Sequence, residues 1–147
     1  MKWVRVVLVL LAVPNIVAGI WAIVSPQSWF DKFPGWAPRL VAANPPYNEH
    51  LASDAGGGLL ATGVAALLAF IWFRRDVLIV AMITYLCFAA PHLLFHLANP
   101  SDLLSSSERA TAELPGLILA VVGAAGVLLW AVGKFSDPQP TTTEVHR

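Results

Sequence analysis

Four stretches of this chain, Val6–Val24, Ala55–Phe73, Val77–Ala98 and Leu114–Gly133, contain no Asp, Glu, Lys or Arg. Each reaches the length of roughly 20 apolar residues that the hydrocarbon of a bilayer demands. Hydrocarbon offers backbone amides no partner, so a spanning segment closes its hydrogen bonds internally as a helix or laterally in a closed barrel. These runs are continuously apolar rather than alternating, which selects helices. Composition agrees: 57% of residues are hydrophobic, 12% are charged and the mean hydropathy is +0.68. The expected fold class is all-α, an integral membrane bundle of four transmembrane helices at about 4–24, 50–73, 77–98 and 114–133. One domain covers 1–133, with an outer aromatic loop at 25–49 and a flexible cytoplasmic tail at 134–147. No room remains for a separate soluble catalytic domain.

Lys2 and Arg5 ahead of an apolar core are also the layout of a signal peptide. The apolar run is long, however, Trp21 interrupts the cleavage zone and no clean A-x-A occurs, so the segment reads as the first helix. The formal net charge is zero, and nucleic-acid binding, which needs clustered cations, is not expected. The single cysteine, Cys87, excludes an intrachain disulfide, a zinc ribbon or a CxxC redox pair.

Pro14-Asn15 sits mid-way along the first helix, where proline frees a carbonyl and Asn15 can bond that backbone or a neighbouring helix. The 25–47 loop is rich in tryptophan, phenylalanine and proline, with Ser28–Phe33 reading as a short amphipathic turn at headgroup level. In the second helix Gly57, Ala61, Ala65 and Ala69 recur every four residues, a spacing that lets helices approach closely. Arg74-Arg75-Asp76 is too short for anything but a tight hairpin between helices two and three. Residues 99–113 read as a polar loop, with Pro115 opening helix four at a position that tolerates it. Gly116, Gly123 and Gly126, with Ala120 and Ala124, give that helix a second small-residue face. An inside N-terminus puts Lys2, Arg5, Arg74, Arg75, Lys134 and Arg147 on the cytoplasmic side, against Lys32, Arg39 and Arg109 outside. That bias predicts both termini to be cytoplasmic in the inner membrane.

The chemistry gathers at the opposite face. His50 and Asp54 are one helical turn apart, as are His92 and His96, and an antiparallel hairpin brings the two pairs to one depth. Glu49 lies beside them, and Glu113 arrives from the start of helix four. His50, Asp54, His92, His96 and Glu49 form a candidate ligand set for a divalent transition metal (Zn, Fe, Mn, Ni or Cu), since imidazole and carboxylate without thiolate suit these ions. The plainer alternative is a polar clasp in which Glu49 or Asp54 supports the helix end and bonds His92 or His96. No nucleophile motif or phosphate-binding glycine loop occurs, no ionisable chain crosses the bilayer, and no catalytic residue is assigned. The enzyme question stays open, leaning towards no.

Ser25-Pro26-x-x-Trp29-Phe30-x-x-Phe33-Pro34-Gly35, Tyr47-Asn48-Glu49-His50-Leu51-x-x-Asp54-x-Gly56-Gly57 and Pro91-His92-x-x-x-His96 resemble motifs of a group of uncharacterised four-helix small membrane proteins of actinobacteria. In layout, residues 5–132 are loosely DoxX-like. The resemblance implies a compact four-helix bundle in the cytoplasmic membrane and brings no activity. Ser53 stands where the resembling sequences carry an arginine before the aspartate, which removes an ion pair there. Three functions are expected on these grounds. The first is a non-enzymatic accessory or assembly subunit of a larger envelope complex (lipid transport or respiratory), its partners being lipid and other membrane subunits met through the small-residue faces of helices two and four. The second is a metal-binding membrane protein or metalloenzyme using the outer cluster. The third is a lipid- or quinone-binding protein roofed by the aromatic loop.

Overall fold

Apolar periodicity and hydrogen-bond closure produce helices throughout the computed structural model, which describes residues 2–134. In order these are α1 (Lys2–Val24), α2 (Pro26–Lys32), α3 (Glu49–Trp72), α4 (Arg75–Ala98), α5 (Ser106–Glu108), a π-helical turn (Arg109–Glu113) and α6 (Leu114–Lys134). Among the described residues every regular element is helical. Four continuous helices, Lys2–Val24, Glu49–Trp72, Arg75–Ala98 and Ser106–Gly133, are long and apolar enough to cross a membrane. The tail expected at 134–147 lies outside the described residues beyond the helix end at Lys134.

The four long helices form a ring in which α1 packs on α3, α3 on α4, α4 on α6 and α6 back on α1. Glycine decides the tightest of these contacts. A Cβ on Gly19 would meet the Leu60 nitrogen at 2.5 Å and the Gly56 oxygen at 2.8 Å, and one on Gly63 would meet the Ile16 nitrogen at 2.8 Å. The neighbours are backbone atoms that cannot swing away, so α1 and α3 touch main chain to main chain as small-residue pairing permits in lipid. The face of α3 that does this runs through Gly56, Gly63, Ala66 and Ala69, all buried. It is rotated from the face expected through Gly57, Ala61, Ala65 and Ala69, because Gly57 and Ala61 point outward.

The core between the helices contains Val4, Leu8, Leu78, Met82, Tyr85 and Val127, each at most 2% exposed. One polar node interrupts it. Asn15 Nδ2 donates to Thr62 Oγ1 at 3.1 Å and to Tyr85 Oη at 2.9 Å, joining α1, α3 and α4. Thr62 in turn donates to the Gly58 and Leu59 carbonyls of its own helix. The amide beside Pro14 is therefore satisfied by side chains of two neighbouring helices.

At one end, the aromatic loop folds over the ends of α1 and α3. Trp29 of α2 is buried with Ala22 and Ala52, and Trp21, Phe33 and Tyr47 pack around it. Ser101 Oγ donates to the Ala43 carbonyl and joins this loop to the one after α4. At the other end α3 stops on Phe73, a non-glycine residue in the left-handed region at φ 45°. Arg74 alone separates it from α4.

Helix four begins well before the position expected from Pro115. Ser105 caps α5 through a reciprocal box: its Oγ accepts from the Glu108 amide while the Glu108 carboxylate accepts from the Ser105 amide. Such a box satisfies two of the free donors at a helix start. Proline removes an amide and crowds the carbonyl four residues back, and the wide turn just ahead of Pro115 absorbs both effects. Residues 106–113, expected as loop, are thereby helical.

Candidate functional site

The π-helical turn matters because of what it carries. Arg109 and Glu113 face the last two turns of α4, where Pro91 precedes His92 and His96. Among the described residues Glu113 is one of two buried polar or charged side chains, at 5% exposure. Its carboxylate is fully engaged: Oε1 lies 2.9 Å from His96 Nδ1 and Oε2 lies 3.2 Å from Arg109 Nε. Arg109 also donates from Nη2 to the His96 carbonyl at 2.9 Å. A second imidazole completes the row, with His96 Nε2 and His92 Nε2 3.1 Å apart and the rings stacked at 4.9 Å between centroids. Phe88 and Phe95 wall the two rings. π-helical turns recur at functional sites.

The order of donors follows from elementary valence. A carboxylate only accepts, so His96 Nδ1 carries the proton that it shares with Glu113. With both imidazoles neutral, His96 Nε2 then accepts from His92 Nε2–H, and His92 Nδ1 is left with a lone pair. The Glu113 charge is balanced by Arg109. The row is therefore a polarised chain, arginine to carboxylate to imidazole to imidazole, with its open end at half-buried His92. A proton added to His92 Nδ1 can move the Nε2 proton across to His96, forming an imidazolium against Glu113.

The site residues named from sequence fall into two groups. His92 and His96 belong to the chain with Glu113. His50 and Asp54 do meet across one turn, His50 Nε2 to Asp54 Oδ2 at 3.3 Å, but both side chains are largely in the open, 82% and 64% exposed. Glu49 is exposed in the first turn of α3, and the cap there is Asn48, whose side chain accepts from the Leu51 amide at 3.0 Å. The carboxylate that engages the α4 histidines is Glu113. Both nitrogens of His96 are used by neighbours on opposite edges of the ring. Among the described residues no group of three or more His, Cys, Asp or Glu is arranged to hold a metal ion.

Sequence reasoning missed Arg109. The signal was present as Arg109-x-x-x-Glu113, a one-turn opposite-charge pair, preceded by Ser105-x-x-Glu108. It becomes visible once the helix is extended back through the polar residues.

A second feature stands beneath the aromatic loop. Trp29 is 7% exposed and its indole Nε1 has no hydrogen-bond partner, although buried indole N–H groups usually find one.

Comparison with protein-family models, with curated proteins and with solved structures finds no match for this chain.

Proposed function

We propose that this is a multi-pass protein of the cytoplasmic membrane, with both termini inside, that serves as a non-enzymatic accessory or assembly subunit of a larger envelope complex. The observation that carries the reading is the outer face of α6. Leu119, Val122 and Leu129 are 48%, 63% and 72% exposed, and they alternate with Gly126 and Gly133, where an added Cβ would meet nothing within 4 Å. The spacing is three, four, three, four, the pattern of a helix-packing seam. Small residues in such a seam admit the backbone of another helix closely, and in lipid that close approach drives association. The glycines of α3 at positions 56, 58 and 63 are spent inside the chain, whereas those of the α6 seam are not. The buried chain at Glu113 then acts as a clasp that holds α6 against α4 and fixes the direction in which the seam faces.

Mild detergent extraction followed by mass spectrometry of the intact assembly tests this. Stoichiometric membrane subunits are expected with the wild type and are lost with Gly126→Leu, whose larger side chain fills the seam without touching the core. A clean monomer from the wild type sinks the proposal. For orientation, a cysteine at exposed Ser105 is expected to react with an impermeant maleimide from the outer side; protection there reverses the topology.

A lipid- or quinone-binding role is a second reading, favoured by Trp29 alone. Its buried, unpartnered indole N–H suits the carbonyl of a lipid ester or a quinone under the aromatic loop. A red-shifted change in tryptophan emission on adding a quinone, absent in Trp29→Phe, is expected if this is right; identical responses in the two proteins dismiss it.

A further inference from the structure

We infer that the end of the bundle opposite the clasp holds an anionic phospholipid, its phosphate on Arg5 and one acyl chain in the groove between α1 and α3. The groove is shallow and open, with a volume of about 250 Å³, and is lined by Arg5, Val6, Val9, Leu10 and Phe70. The lining is apolar throughout, and Arg5 contributes its aliphatic stem to it. An apolar groove beside an exposed guanidinium suits a lipid, whose headgroup carries charge and whose chains do not.

Arg5 is held for such a task. Its Nη1 donates to the Phe70 carbonyl at 3.1 Å. The guanidinium carbon lies 4.3 Å from the Phe73 ring centroid and 5.1 Å from that of Phe70. Stacking on aromatic faces leaves the edge of the guanidinium plane for a planar or tetrahedral oxyanion, which it matches with paired donors. Phe73 sits at φ 45°, a conformation uncommon for a bulky residue. Its ring is also braced by Trp130 at 6.2 Å, and Trp130 by Trp3.

The charge around Arg5 is one-sided. Among the described residues no carboxylate pairs with it, while Arg74, the nearest cation along the chain from Phe73, is already bidentate to Asp76 at 2.8 and 3.2 Å. Lys2 is exposed on the first turn of the same helix. Among the described residues Arg5 is therefore a cation without a carboxylate partner at the end of a long apolar helix, and anionic headgroups are attracted to such positions. The ligand class is a glycerophospholipid with a net negative head; phosphate free in solution shares the head chemistry but not the chain.

The test uses the full chain in nanodiscs of equal phosphatidylcholine and phosphatidylglycerol, released into the gas phase for native mass spectrometry. Retained adducts of the wild type are expected to favour phosphatidylglycerol. Arg5→Gln should reduce that preference roughly fivefold, the effect of one surface cation. Lys32→Gln, at the other end, should leave it unchanged. Val9→Trp, on an exposed position lining the groove, should expel the adduct with Arg5 intact, which keeps the question open to refutation if Arg5→Gln does not fold. No preference in the wild type, equal preference in Arg5→Gln, or displacement of the adduct by millimolar inorganic phosphate overturns the inference. It rests on reading the long helices as membrane spans. A chain released from membranes by alkaline carbonate defeats both, whereas an integral protein without lipid preference defeats this alone.

Discussion

Replacing Glu113 by glutamine isolates the charge in the buried chain. The amide oxygen of the new side chain can still accept from His96 Nδ1, so that hydrogen bond survives. What is lost is the partner of Arg109, whose side chain is only 21% exposed beside a carboxylate that is 4% exposed. Removing one member of a buried ion pair leaves an uncompensated charge and typically costs about 3–5 kcal/mol. Arg109 retains its bond to the His96 carbonyl and can lean towards the boundary, which puts the expectation for Glu113→Gln near the lower limit, about 3 kcal/mol. Arg109→Gln strands the carboxylate instead, but Glu113 keeps its hydrogen bond from His96 Nδ1, so about 2 kcal/mol is expected. With both changes no charge remains, and only neutral hydrogen bonds are altered; about 1–2 kcal/mol is expected. The coupling between the two residues should therefore be at least about 3 kcal/mol, far beyond what independent sites show. Equilibrium unfolding of the four proteins by SDS titration in dodecylmaltoside micelles, followed by far-ultraviolet circular dichroism, measures it. Single effects that sum to the double within about 0.5 kcal/mol would refute the clasp.

Four further outcomes follow from other contacts. Gly19→Ala forces a Cβ to within 2.5 Å of the Leu60 nitrogen and should cost about 2 kcal/mol or more by driving α1 from α3. Gly57→Ala, with nothing within 4 Å, should stabilise by up to about 1 kcal/mol through helix propensity; the same SDS titration distinguishes them, and equal effects would show that α1 and α3 do not touch there. Asn15→Leu removes two interhelical hydrogen bonds, each worth about 0.6 kcal/mol in a membrane protein, and should lower stability by about 1 kcal/mol; a loss above about 3 kcal/mol would mean the node does more than join helices. His50→Ala breaks a pair that water reaches freely and should change stability by under about 0.5 kcal/mol. A larger loss would show that this histidine joins the buried chain.

How far the sequence could be read depended on the range of the interaction involved. The four spans were legible because solvation by hydrocarbon acts on whole segments, and the described helices Lys2–Val24, Glu49–Trp72 and Arg75–Ala98 lie close to the expected limits. The fourth was shortened because Arg109, Thr111 and Glu113 look like a polar loop. In the fold they are polar on a helical turn whose partners, His96 and the Ser107 carbonyl, cannot be seen locally. The histidine pairs were legible by their spacing. Their partners were not, because adjacency of α3 and α4 fixes which helices are neighbours but not how each is rotated. A rotation of one residue puts Gly56 rather than Gly57 inward, and rotation likewise decides whether Asp54 or Glu113 meets the α4 histidines.

The two halves of the bundle are joined by different physics, and the difference locates where the molecule can yield. Between α1 and α3 the contact is chiefly steric: Gly19, Gly56 and Gly63 bring backbones together, and Arg5 crosses it at one end to the Phe70 carbonyl. Between α4 and the start of α6 it is electrostatic, resting on Glu113, Arg109 and the two histidines. The Asn15 node ties α1, α3 and α4 but does not reach α6. Helix α6 is thus the long helix least enclosed by the others, with only 17% of its apolar window buried. It is held at one end by a charged clasp, packs Ala124, Val127 and Ala131 into the core and presents its glycine seam outward. A partner helix on that seam would complete the burial of α6 that the chain leaves undone. Loosening the clasp should weaken that association even though no clasp residue lies on the seam.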